Sequence, residues 1–196
     1  MQQRARRRSN PERTARTRAA LIAAARALFV TKGYAETGTP EIVAAAEVTR
    51  GALYHHFDDK ADLFLAVARQ AAEEVAAEIA HRTRRSKRPL AALGRGSDAY
   101  FAAMSEGGRA RLLLLEAPSI LGAAQLRELG DLAGAAELRE GLEAALLVDS
   151  DVSLEALTQL VSAAFDRAAL AIAQGGSAKA YRAAIHTLLE RLVAGD

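Results

Sequence analysis

Residues 37–60 read TGTPEIVAAAEVTRGALYHHFDDK, and the pattern of this stretch decides the fold. Thr39-Pro40-Glu41 is a helix start: Thr39 suits the N-cap, Pro40 the first helical position, and Glu41 the positive end of the helix dipole. Ile42, Val43, Ala45 and Ala46 give that helix a buried side, and the small Ala residues let a following helix cross closely. Glu47-Val48 reads as a turn. Thr49 caps a second helix running from residue 50 to about 57, and Asp58-Asp59 break it and cap the next. Two short helices joined by a tight turn make a helix-turn-helix, in which the second helix enters the major groove and the first braces it across the backbone.

The residue types fit that use. Ile42, Val48 and Leu53 form a small core between the helices. Thr49, Arg50, Gly51, Ala52, Tyr54 and His55 are left outside. Arg50 reaches a guanine edge or a phosphate. Gly51 and Ala52 lack bulk, so the backbone can approach a base pair and leave room for a thymine methyl. Tyr54, His55 and His56 can donate to phosphates. Lys60, at a helix N-terminus, adds its charge to free N–H groups that hold a phosphate oxygen.

Charge is distributed accordingly. Residues 1–60 hold 11 Lys/Arg against 6 Asp/Glu, and residues 61–196 hold 15 against 18, so a net charge of +2 hides a basic start and an acidic remainder. This is the asymmetry expected when one end meets a polyanion. The first nine residues carry four Arg and read either as an arm that follows DNA or as a solvated tail. A second basic run, residues 81–88, reads as a helix end whose cations complement the dipole, with a further nucleic-acid patch as the alternative.

The absence of cysteine excludes disulfides, thiolate metal sites and a thiol redox sensor. No metal or cofactor is expected. No apolar run approaches the ~20 residues of a membrane span, and no apolar segment follows the basic N-terminus, so a cytoplasmic protein without membrane contact is expected.

Outward from the opening stretch the chain reads as helices throughout. Residues 11–32 form a first helix, with Asn10 as N-cap, Pro11 at its start, an apolar face of Leu21, Ile22, Ala25, Leu28 and Phe29, and Gly33 as its stop. Arg13, Arg16 and Arg18 lie where they could reach phosphates. A long helix from Lys60 has a core face of Leu63, Phe64, Val67, Ala71, Val75 and Ile79. Pro89 restarts a helix containing Tyr100, Phe101 and Met104. Leu112 to Leu115 are four consecutive Leu, which predicts a helix buried on most faces, and Pro118 ends or kinks it. A segment from about Ala123 to Val148 has possible breaks at Gly130 and Gly134. Two amphipathic helices close the chain around Gly175-Gly176. Their stripes, Leu157, Val161, Ala164, Phe165 and Ala168, then Tyr181, Ile185, Leu188 and Leu192, suit pairing with a second copy as a four-helix bundle; finishing the protomer core is the alternative. The larger apolar residues of the middle helices, Phe64, Tyr100, Met104, Leu114 and Phe165, are pocket candidates or plain core, with Glu116, Arg111 and His186 as polar groups that could orient a ligand.

The opening stretch and its surroundings resemble the DNA-binding domain of the tetracycline-repressor (TetR) family, over roughly residues 13–65. The resemblance is carried by LIAAARALFVTKGY (21–34) and EIVAAAEVTRGALYHHFDDKADLF (41–64), and above all by GALYHHF (51–57) with Lys60 and Leu63. LLLLEAPSILG (112–122) is similar to a tract in some members. There are departures. Glu47 occupies a turn position that is often Gly. Gly38 stands where Ser or Thr often contacts phosphate, which moves that role to Thr37 or Thr39. Ala52 offers no hydrogen bond, so readout would rest on Arg50 and on DNA shape.

The resemblance implies an all-α protein: a basic flexible arm (1–10), a helix-turn-helix DNA-binding domain (11–59) and a helical ligand-binding and dimerisation domain (60–196). It implies a homodimeric transcriptional regulator, usually a repressor, with recognition helices entering successive major grooves of a palindromic double-stranded operator, roughly 34–36 Å apart. A small-molecule effector, apolar or amphipathic from the pocket candidates, would bind the body and tilt the helix starting at Lys60. An activator or a ligand-independent regulator would carry the same head. An enzyme is disfavoured, because there is no nucleophile elbow, phosphate loop or zinc-ligand spacing. His55 and His56 point about 100° apart on a helix and cannot easily share an ion. A nonspecific architectural DNA protein is disfavoured by the acidic body.

Overall fold

A computed structural model describes residues 10–83, 88–145 and 153–194, and among them there are helices and no strand. The Arg-rich arm (1–9), the middle of the second basic run (84–87) and the expected helix end at Val148 lie outside the described residues. The helices are α1 (Asn10–Lys32), α2 (Thr39–Ala45), α3 (Arg50–His56), α4 (Lys60–Thr83), α5 (Pro89–Met104), α6 (Ala117–Ile120), α7 (Ala123–Gly130), α8 (Ala136–Ala145), α9 (Leu154–Ala173) and α10 (Ala178–Ala194). Two π-helical turns, Arg111–Glu116 and Asp131–Ala135, lead into α6 and α8.

The chain forms two compact units that divide between Val67 and Ala68. The division falls inside α4, not at its first residue as the sequence suggested. The reason is packing: Leu63, Phe64 and Val67, in the first two turns of α4, are fully buried with the core of the first unit. That core is built from Leu21, Ile22, Ala25 and Phe29 of α1, Ile42 of α2 and Leu53 of α3. Phe29, Tyr34 and Phe64 form an aromatic trio with centroids 5.4–5.6 Å apart, within the range of favourable ring contacts.

Helix ends follow the expected chemistry with one shift. Gly38, not Thr39, is the N-cap of α2, and it provides no side-chain cap. Thr49 caps α3, its hydroxyl oxygen accepting from Ala52 N–H at 3.1 Å. Before α4, Asp59 accepts from Asp62 N–H at 2.8 Å and Asp62 accepts from Asp58 N–H at 3.2 Å, a reciprocal cap. Glu47 takes the turn with φ 54, the left-handed conformation that Gly adopts without cost.

In the second unit, Pro118 explains the first π turn. It has no amide to give Leu114, and its ring would press on that carbonyl. The preceding turn widens, and Ala117 N–H bonds the carbonyl of Leu112, five residues back. The expectation that this Leu run is buried on most faces is corrected: Leu112 and Leu113 are buried, while Leu115 is 50% exposed. Gly134, at φ 117, breaks the segment before α8, whereas Gly130 is helical and is no break. Arg109, half-buried, ties its loop to α4 through Glu74 at 2.9 Å and to the Ala103 carbonyl at 2.8 Å.

α10 packs on α5 and α9. By length and composition alone α9 is apolar enough to cross a membrane, although Glu155, Asp166 and Arg167 interrupt its apolar residues. It is amphipathic within this unit: Thr158, Val161, Phe165, Ala168, Ala169 and Ala171 are buried, while Glu155, Gln159 and Arg167 are exposed.

Candidate functional site

Two sites emerge, one in each unit. In the first unit, Ile42 and Leu53 are fully buried and Val48 half-buried, so the remaining face of α3 points outward. Arg50, Gly51, Tyr54 and His55 are exposed, with Thr49 at the cap. The Arg50 guanidinium lies over the Tyr54 ring, 5.5 Å from its centroid. A hydrogen bond with Thr39, then one with Arg50, holds the Tyr54 phenol below its ordinary pKa. Thr39, Arg50 and Tyr54, from α2 and α3, therefore form one polar cluster. A Cβ added to Gly51 would meet nothing closer than the Thr49 hydroxyl at 3.9 Å, and its backbone is ordinary helix. The fold does not need glycine there, and the space before it is open. Ala52 is half-buried beside it.

Two of the expected DNA contacts, Thr37 and Lys60, are placed differently, and a third, His56, is only partly exposed. Thr37 is 1% exposed, and its hydroxyl donates to the Gly33 carbonyl at 2.7 Å, so it is a structural residue of the loop and not a surface contact. Lys60 does not project from the start of α4. Its Nζ donates to the carbonyls of Tyr34 and Thr37 at 2.9 and 3.0 Å and lies 4.1 Å from the centroid of the Tyr34 ring. The amine thus fastens the loop between α1 and α2. His56 is half-buried, and burial, then His55 and Arg18, holds its imidazole below its ordinary pKa. Arg18 lies over the Phe57 ring at 5.2 Å. The signal for Lys60 and Thr37 was absent from the sequence, because their partners are main-chain carbonyls of a loop whose path only folding sets.

In the second unit, α4, α5, α7, α8, α9 and the first π turn surround a cavity of about 690 Å³. This lies within the range of small-molecule sites. Of the pocket candidates, Tyr100, Met104, Leu114 and Phe165 line it. Phe64 does not; it belongs to the aromatic trio of the first unit. Nor do the polar candidates line it: Arg111 and Glu116 pair with each other at 3.2 Å, and His186 faces Asp98 at 3.4 Å. The polar wall residues, Ser97 and Asp166 among them, were missed from the sequence. Asp166 accepts the Tyr100 hydroxyl at 2.6 Å across 66 residues of chain, a pairing no local pattern carries.

The expected pairing stripe also divides. Val161, Phe165, Ala168 and Ile185 are buried within the single chain and serve its own core. Leu157, Ala164 and Leu192 are half-buried. Tyr181 and Leu188 are exposed, and with them Leu160, outside the expected stripe, at 71%.

Comparison with known proteins fits these two units. The family model described as bacterial regulatory proteins, tetR family, matches residues 21–67, and the one described as tetracyclin repressor-like, C-terminal domain, matches residues 90–195. The chain is 41% identical over 69 residues to the HTH-type transcriptional repressor BepR of Brucella suis, covering 34% of this chain and 33% of that protein. It is 50% identical over 48 residues to the HTH-type transcriptional regulator AcrR of Shigella flexneri, covering 24% and 22%. These matches span a third or less of the length of the curated relatives. A TetR-family regulator from Pectobacterium atrosepticum superposes with a TM-score of 0.68 at 28% identity, over 93% of this chain and 94% of that one. FadR of Bacillus subtilis, solved with stearoyl-CoA, superposes at 0.72 with 16% identity, over 91% and 98%, a likeness of fold alone.

Proposed function

The chain belongs to the TetR family of bacterial regulatory proteins, transcriptional regulators and not enzymes, and from that premise we propose that it is a cytoplasmic homodimeric repressor that leaves a palindromic operator when a small molecule fills its cavity. The observation that carries this reading is the outward cluster of Thr39, Arg50 and Tyr54 beside the open approach to Gly51, set on a fully buried Ile42–Leu53 core. Arg50 reads a base edge, Thr49, Tyr54 and His55 hold phosphates, and Gly51 and Ala52 let α3 sit deep in the groove. The free apolar residues of α9 and α10, Leu160, Tyr181 and Leu188, join two copies. α4 runs without a break from one unit into the other, so a ligand that alters its tilt changes the spacing of two heads. A coupling of ~1–3 kcal/mol shifts operator affinity by ~5–150-fold.

The test is a footprint on the DNA upstream of its own gene, with and without candidate effectors. A symmetric protected site with half-sites about one helical turn apart is expected. Arg50→Ala should weaken binding to that site by ~1–3 kcal/mol and relax its sequence preference. Equal losses on random duplex would assign Arg50 to a phosphate, and protection without symmetry would sink the dimer.

A further inference from the structure

The cavity wall is mostly apolar, and its polar exceptions define what can bind. Asp166, half-buried on α9, presents its carboxylate to the cavity. Its Oδ1 accepts the Tyr100 hydroxyl, and among the described residues no Lys, Arg or His forms an ion pair with it. Burial holds the Asp166 carboxyl above its ordinary pKa, with the Tyr100 hydrogen bond opposing that rise. A desolvated carboxylate without a cation costs stability, so a fold that keeps one has another use for it. One helical turn before Tyr100, Ser97 also lines the cavity; it is 2% exposed, and its hydroxyl has no hydrogen-bond partner among the described residues. An unmade bond at a sealed hydroxyl is the second sign that a polar ligand atom belongs here. The other charged wall residues are Glu137 and Glu140 of α8 and Arg167 of α9, so carboxylates outnumber guanidinium three to one.

We propose that the effector is a lipophilic organic amine, whose protonated nitrogen binds the Asp166 carboxylate beside the Tyr100 hydroxyl while its apolar body lies among Met104, Leu114 and Phe165. The ammonium supplies the charge that Asp166 lacks, Ser97 takes part in the polar end, and the aromatic faces of Tyr100 and Phe165 (centroids 5.7 Å apart) suit a cation or a ring. A carboxylate ligand would meet a like charge and find no cluster of donors. The inference rests on the cavity being the effector site.

The experiment is calorimetric titration of the full chain at pH 7 with three probes sharing one apolar tail: octylamine, octan-1-ol and octanoate. Octylamine should bind at least about tenfold more tightly than the alcohol, as a charge-assisted hydrogen bond requires, and octanoate should be weakest. Asp166→Asn keeps the shape and an acceptor for Tyr100; it should leave the alcohol unchanged and reduce the amine preference to less than about threefold. Tyr100→Phe should retain the preference, which separates the carboxylate from the phenol. The inference is overturned if alcohol or octanoate matches the amine in the wild type, or if the preference survives Asp166→Asn. If none of the three binds, the cavity is not a ligand site and the effector reading falls with it. Should Asp166→Asn fail to melt cooperatively, the wild-type ranking and Tyr100→Phe decide.

Discussion

The two units solve opposite problems. The first spends its largest side chains on closure: Phe29, Phe64, Leu21, Ile42 and Leu53 are fully buried. Its polar groups near the core are matched, with the Thr37 hydroxyl and the Lys60 amine given to main-chain carbonyls. The second leaves space, and around that space, among the described residues, it leaves a carboxylate without a cation and a hydroxyl without a partner. A surface that must match a duplex has to be held still, because small displacements lose bidentate contacts. A body that must respond to a ligand has to keep something unsatisfied, because a ligand shifts a protein only through differential affinity for its states.

The comparison breaks most readily on core truncation. Phe29→Ala should cost ~3–5 kcal/mol, since its neighbours are packed on every side. Met104→Ala, at the cavity wall, should cost under ~2 kcal/mol, because part of its surroundings is already empty. Denaturant titration of both variants measures this, and equal losses would remove the distinction between closed head and open body.

Lys60 tests the head's self-sufficiency at a smaller scale. Lys60→Met should lower stability by ~1–3 kcal/mol through two lost bonds to carbonyls and a lost ring contact. It should leave the salt dependence of DNA binding unaltered. A fall of about one in the slope of log affinity against log salt would instead return Lys60 to the phosphates.

The smallest effect concerns the turn. Glu47 pays for its left-handed backbone, so Glu47→Gly should stabilise the head by ~0.5–1 kcal/mol after the added freedom of the unfolded chain is deducted. A rise in melting temperature of a few degrees is the readout. A lower melting temperature would show that the Glu47 side chain contributes more than its conformation costs.

Much of the head is legible in its residues because its signals are local. Thr49 three residues before Ala52, Asp59 before Asp62, and the spacing of Ile42 and Leu53 act within a turn or two of helix, and the structure has them in those roles. Local reading misled where a residue's partner is distant or is main chain. Lys60 and Thr37 looked like surface contacts because their side chains are polar. Val161, Phe165 and Ile185 looked like a free stripe because periodicity gives a face but not the neighbour that covers it.

The sequence by itself determined the helical character of the chain, the caps at Thr49 and Asp59, the turn at Glu47 and the outward set on α3, since each follows from side-chain chemistry over a few residues. Only the tertiary structure decided that Lys60 is a fastening, that Phe64 belongs to the head, and that Ser97, Tyr100 and Asp166 share one cavity. Those outcomes depend on which helices meet, and a carboxylate 66 residues from its hydroxyl partner leaves no mark on the chain until the core closes around both.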